Sequence, residues 1–119
     1  FHQNHLRALI DFEQAGIGLF ILDIGISISG TCLEKNRIIH PLIKSFLKGY
    51  ESVRPLPPEE REHLNTAVIL GLFSIALWRI ERFKEGTIDP SRADSYQELL
   101  QRAINFKNSS TEIRRGPCR

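Results

Sequence analysis

Apolar positions recur along the chain with periods that predict a short N-terminal strand, one undecided stretch and three helices. In residues 5–12, HLRALIDF, apolar side chains fall alternately at Leu6, Ala8 and Ile10, and Asp11 closes the run ahead of Gly16 and Gly18. That pattern predicts a strand leaving into a glycine-bearing loop. The polar FHQNH before it predicts the turn of a hairpin, with Phe1 ending an earlier strand. In residues 19–31, Ile24, Ile26 and Ile28 alternate with Gly25, Ser27 and Ser29, a period of two that suits a strand. Phe20, Ile21, Ile24 and Ile28 equally make a helical stripe, and the local pattern does not decide between them.

Beyond residue 38 the period is helical. Ile39, Leu42, Ile43, Phe46, Leu47 and Tyr50 form one stripe behind Pro41, a residue suited to a first helical turn because its missing N–H would have no partner there. This helix is expected over His40 to Val53. Pro55, Pro57 and Pro58 break the chain, and Pro58 with Glu59, Glu60 and Glu62 opens a second helix with acidic groups at its positive end. It should run to about Phe83, closed by Gly86. Val68, Leu70, Leu72, Phe73, Ile75, Leu77 and Trp78 cover more than one of its faces, so it is expected to be the central, most buried helix. A last helix should start near Asp89-Pro90, with Ser95 and Glu98 as a second cap at capping-box spacing, and carries Tyr96, Leu99, Leu100, Ala103 and Phe106 inward. From Asn108 the periodicity is lost. One globular unit over 1–107 with a mobile tail over 108–119 is the expected organisation.

Composition adds limits. With 119 residues, 41% apolar and 25% charged, the chain has the make-up of one ordinary globular domain. Its 16 basic and 14 acidic residues are scattered and leave a net charge of +2, too weak a field to point to nucleic acid. Cys32 and Cys118 are far apart in sequence, which suits two free thiols in a reducing cytoplasm. The apolar run 15–33 contains Asp23 and several glycines, and the run 67–78 is shorter than the roughly 20 residues a bilayer requires, so no membrane partner is expected. No secretory pattern opens the chain. It begins on Phe1 and holds no methionine, the expectation for a piece or processed form of a longer product.

Few residues suggest chemistry. There is no glycine-rich phosphate loop with lysine, no nucleophile elbow and no CxxC spacing. His2 and His5 lack a further ligand nearby in sequence, while His40 and His63 read as structural residues on helices. The acidic run 59–62 and the group Arg79, Glu81 and Arg82 read as solvated faces. Leu9-Ile10-Asp11-Phe12-Glu13-Gln14-Ala15-Gly16 places an aspartate at the end of an apolar run before a small-residue loop. On its own, that aspartate reads as a turn-former before it reads as a metal ligand.

The segment 9–23, LIDFEQAGIGLFILD, resembles the stretch IDFxxAxxGxxxxDLA of aminoglycoside phosphotransferases, choline kinases and homoserine kinase type II enzymes. Gly49-Tyr50-Glu51-Ser52-Val53-Arg54-Pro55-Leu56 resembles the GYxxVRPL segment of the homoserine kinase type II branch, and Ala76 to Ile80 and Pro90 to Leu100 resemble its later helices. The resemblance spans about residues 5 to 105. It implies a mainly α fold: a β-hairpin remnant followed by about four helices, the helical C-terminal part of a protein-kinase-like domain. It also makes 19–31 a helix. It further implies that Asp11 binds the magnesium bridging the ATP phosphates, and that Asp23 anchors the catalytic loop by hydrogen bonds to its backbone. Glu13, Gln14 and Gly25 depart from the pattern, Gly25 standing where alanine is usual.

That family carries an HGDxxxxN loop before the IDF aspartate, and its catalytic base is expected upstream of Phe1; Asn4 is too close to Asp11 to supply the asparagine. The ATP-binding lobe is missing as well. Positioning dominates phosphoryl transfer, so the 119 residues alone are expected to be inactive. Two readings follow: part of an ATP- and magnesium-dependent kinase acting on a hydroxyl of a homoserine-like amino acid or amino sugar, or a non-catalytic helical binding or scaffold module derived from one. Arg54 reads either as a border of the acceptor pocket or as a packing residue, the latter being the plainer. Apolar surface left without its lobe could drive self-association.

Overall fold

In the computed structural model, which describes residues 5, 7–8, 10–12, 15–87 and 89–109, the stretch that local pattern leaves undecided is a helix, α1 (Phe20–Thr31). Tertiary packing selects the helical period. Ile21, Ile24 and Ile28 turn inward with Gly25, whereas Ile26, which the strand alternation would group with them, stays 42% exposed. A short antiparallel hairpin follows, β1 (Leu33–Glu34) and β2 (Arg37–Ile38), then α2 (His40–Glu51), α3 (Pro58–Lys84), a 3₁₀ turn over Pro90–Arg92, and α4 (Ser95–Ser109).

The fold class is the expected one, mainly helical with a hairpin and four helices, and among the described residues the hairpin follows α1. It sits between α1 and α2, with Leu33 opposite Ile38 and Glu34 opposite Arg37. Lys35 and Asn36 turn it with φ of 45° and 63°, the left-handed pair that matches the twist of two adjoining strands. Of the stretch expected as a strand, Leu6 and Leu9 lie outside the described residues, and Arg7, Ala8 and Ile10 to Phe12 are not in a strand. Of the turn expected at His2 to His5 and the earlier strand ending at Phe1, residues 1–4 are also outside them, and His5 makes a single β-bridge.

α3 is the helix on which α1 and α4 both pack. The α1–α3 crossing is close enough to require glycine: a Cβ on Gly25 would lie 2.4 Å from both the carbonyl carbon and oxygen of Ala67. Gly71 plays the reciprocal part against Ile26, whose Cα would stand 3.0 Å from an added Cβ. Leu64, Ala67, Val68, Leu72 and Ala76 form the α3 share of one core, joined by Ile43 and Leu47 of α2, Leu56 of the following loop, and Leu99, Ala103 and Phe106 of α4. Each large side chain there contributes about 1.5–3 kcal/mol by leaving water. α3 is central as expected, but of the apolar residues expected to bury it Leu70, Phe73, Leu77 and Trp78 are exposed.

The helix ends follow their local signals. Pro41 and Pro58 stand in the first turns of α2 and α3, with Glu59 and Glu60 beside the positive end of α3. α2 ends at Glu51, two residues before Val53, in a turn where Val53 and Arg54 donate backbone N–H to the Tyr50 carbonyl. α3 closes on Gly86 at φ 72°, with Gly86 N–H on Phe83 O and Thr87 N–H on Arg82 O, so two terminal carbonyls gain partners. Asp89 caps the 3₁₀ turn by accepting the Ser91 N–H at 2.8 Å. Ser95 is the first residue of α4 and not its cap; Asp94 precedes it and accepts from Gln97 N–H. α4 continues through Asn108 to Ser109.

Candidate functional site

Asp11 is exposed and its backbone is left-handed, with φ 71°. Few residues other than glycine adopt that conformation, although aspartate and asparagine are among those that do, and such departures gather where a side chain must be aimed. Phe12 next to it starts a turn in which Ala15 donates its N–H to the Phe12 carbonyl at 2.9 Å. The chain then runs through Gly16 to Leu19 into α1. Glu13 and Gln14 lie outside the described residues.

This entry into α1 forms an open depression of about 410 Å³ lined by Gly16, Ile17, Gly18, Phe20 and Asp23. Asp23 stands in the first turn of α1, where the helix dipole favours a carboxylate, and its side chain faces solvent. The structure therefore brings Asp23 to the depression, while Asp11 is not among its described lining residues. Ionised, both carboxylates are acceptor-only oxygen donors of the kind a hard cation such as magnesium takes. Among the described residues no three His, Cys, Asp or Glu side chains gather closely enough to hold a metal.

Behind the depression stands a cluster that periodicity alone could not assemble. The Arg54 guanidinium forms a two-pronged pair with Glu60 at 2.8 Å on each arm and donates to the Tyr50 hydroxyl at 3.0 Å. It also lies over the Phe20 ring, 4.7 Å from the centroid, and 5.9 Å from the centre of the Tyr50 ring. One cation thus ties the start of α1, the end of α2 and the start of α3. The hydrogen bonds and charge of Glu60 push the Arg54 pKa above its ordinary value, and Arg54 holds Glu60 below the usual carboxylate range. Next to it, Arg61 pairs with Glu51 across the same α2–α3 junction. Of the two sequence readings of Arg54, packing describes these contacts, and Phe20 is its link to the depression.

None of the remaining polar candidates is among the described residues that line the depression. His40 begins α2, half-buried, with its ring 6.2 Å from that of Phe106, and His63 is exposed on α3. His5 is exposed and His2 lies outside the described residues. Arg102 of α4 donates to the Ser29 carbonyl at 3.3 Å and to Asn36 Oδ1, fastening α1 and the hairpin turn to α4. Cys32 is buried, which raises its thiol pKa, and Cys118 lies outside the described residues.

Comparison with known proteins finds similarity to part of the homoserine kinases. The chain is 34% identical over 85 residues to a homoserine kinase of Polaromonas naphthalenivorans, covering 70% of this chain and 27% of that protein. It is 35% identical over 81 residues to one of Neisseria meningitidis serogroup B, covering 67% and 27%, and 23% identical over 84 residues to one of Paraburkholderia phymatum, covering 69% and 26%. The chain thus spans about a quarter of the length of the curated relatives it matches. No family model matches it, and no solved structure does.

Proposed function

We propose that the chain is the C-terminal helical part of an ATP- and magnesium-dependent phosphotransferase that phosphorylates a hydroxyl of a small amino-acid-like metabolite, with homoserine the first substrate to test. The observation that carries this reading is the similarity to homoserine kinases over 70% of the chain. The IDFEQAG and GYESVRPL segments support it, as does the left-handed backbone of the one aspartate that the kinase resemblance makes a metal ligand.

In this reading Asp11 offers its exposed carboxylate to the cation. Bound there, magnesium would supply neutralisation of charge on the ATP phosphates as the γ-phosphoryl group transfers. Asp23, solvent-facing at the first turn of α1, accepts backbone N–H groups from the catalytic loop and fixes its position relative to the Gly16–Phe20 entry. Arg54 keeps that first turn in place by stacking on Phe20. The base that orients the acceptor hydroxyl and the lobe that holds the adenine belong to the part of the enzyme beyond these residues, so the 119 residues alone do not turn over substrate.

The test uses the full gene product with ATP, magnesium and a panel containing homoserine and amino sugars. Asp11→Ala should cut turnover by about 10²-fold or more, because a charge-stabilising ligand acts on the transition state. Unchanged turnover, with the variant folded by circular dichroism, would overturn the assignment of Asp11.

A further inference from the structure

A helix that is apolar on every side belongs in an interior, yet α3 is covered on one side only. Its inward face is closed by α1 and α4. On the opposite face Leu70, Phe73 and Leu77, spaced i, i+3 and i+7, are 47%, 44% and 62% exposed. On α1, the helix packed against α3, Ile26 and Leu22 are 42% and 36% exposed, and Ile26 stands against Gly71. The only polar side chain within this span of the α3 face is the small Ser74 hydroxyl. Scattered exposed leucines are ordinary, but three large apolar side chains aligned along one helix face are the form of an interface.

We infer that this face is an internal docking surface, closed in the whole protein by another stretch of the same polypeptide: the part of a homoserine kinase-like chain that lies outside the matched region. The inference rests on the proposed kinase reading. Its support is the length ratio: the matched 85 residues are 27% of the Polaromonas relative, so nearly three quarters of such a protein remains to be packed against them. The face offers apolar contacts to that body without a charged group in its centre, and a segment joined by covalent linkage needs less affinity than a free partner.

The test places two substitutions in two contexts. Phe73→Glu and Leu77→Glu are made in the 119-residue chain and in the full gene product, with Lys44→Glu on the exposed side of α2 as a control. In the short chain the two glutamates meet water and should leave the thermal midpoint within about 3 °C of the parent. In the full gene product they would be trapped at a dry interface, and the midpoint should fall by about 10 °C or soluble expression should be lost, while Lys44→Glu changes neither. If the short chain does not fold alone, the contrast between Phe73→Glu and Lys44→Glu in the full product decides the matter.

Equal tolerance of Phe73→Glu and Lys44→Glu there would overturn the inference. So would a coding sequence that adds no further protein to these residues. A concentration-dependent dimer of the full product that Phe73→Glu dissociates would assign the face to a second copy, and tight binding of that product to phosphatidylglycerol vesicles would assign it to a lipid surface; either result also overturns it. The readout is stability, so an inactive but stably closed product would defeat the kinase reading while leaving the docking surface standing.

Discussion

The Arg54 guanidinium and the Glu60 carboxylate meet face to face, Nη1 on Oε2 and Nη2 on Oε1, both at 2.8 Å. The parallel geometry is one that lysine cannot reproduce, because an ammonium offers neither the planar fork nor a flat surface to lay on Phe20. Arg54→Lys should therefore lower the thermal midpoint even though it preserves the charge, and Arg54→Ala should lower it further by also releasing Phe20 and Tyr50. A lysine variant as stable as the parent would reduce the pair to simple charge attraction. In the full gene product both variants should weaken substrate or nucleotide handling more than Lys44→Glu does, since Phe20 lines the depression beside Asp23.

The same pair gives stability a defined acid dependence. Arg54 holds Glu60 below its ordinary value, and the backbone N–H of Ser91 does the same for Asp89. At these sites the folded chain binds protons less readily than the unfolded one. Their contribution is therefore complete above the ordinary carboxylate range and is lost as pH falls below about 4.5 toward the lower folded values. Arg54, shifted upward, contributes below its ordinary value and adds no slope in this window. Urea midpoints measured from pH 7 to pH 3 should fall, and Glu60→Gln should fall less steeply over the same interval. Parallel profiles for the two proteins would exclude a share for Glu60.

Gly25 should be intolerant of the smallest side chain. An added Cβ meets the Ala67 carbonyl carbon and oxygen at 2.4 Å, and backbone atoms cannot swing aside as a side chain does. Overpacking of this kind costs about 1–3 kcal/mol or more, against a helix-propensity gain for alanine of about 1 kcal/mol. Gly25→Ala should therefore lose about 2 kcal/mol net in chemical denaturation. Gly30, in the same helix with nothing within 4 Å of its added Cβ, is the control: Gly30→Ala should gain about 0.5 kcal/mol. Similar behaviour of the two variants would mean that the α1–α3 crossing is looser than described.

Much of the helical frame was legible because its signals are local. The stripe of Ile43, Phe46, Leu47 and Tyr50, the prolines at 41 and 58 and the glycine at 86 each act within a turn or two of their position. The stretch 19–31 was not legible in this way, since Ile24, Ile26 and Ile28 satisfy both periods and only the approach of α3 favours one. The hairpin escaped notice because its strands are two residues long and Lys35-Asn36 lacks the glycine that marks such turns. At the candidate site the residues alone made Asp11 a turn-former, and the metal role proposed for it came from resemblance; its left-handed backbone could not be read from residue type. The Arg54 cluster joins three elements, and no spacing rule links Phe20 to Glu60. The glycine that departs from the kinase pattern at position 25 acquires a physical reason only once Ala67 lies against it.

The turn of the hairpin offers a stabilising change and a destabilising one at adjacent positions. Lys35 holds φ 45° and Asn36 φ 63°. Asparagine tolerates that region, whereas lysine has no local hydrogen bond to offset the crowding of its Cβ. Lys35→Gly relieves the crowding at the cost of a more flexible unfolded chain, and a net gain of about 0.5 kcal/mol is expected. Asn36→Gly relieves less and removes the Oδ1 that accepts from Arg102, leaving that guanidinium with the Ser29 carbonyl at 3.3 Å. Burial, followed by the charge of Arg79, already lowers the Arg102 pKa, so a lost acceptor is felt there. A net loss of about 1 kcal/mol should result. Urea denaturation of the two variants, with unchanged slopes, checks both signs; a gain for Asn36→Gly would show that Arg102 does not hold the turn to α4.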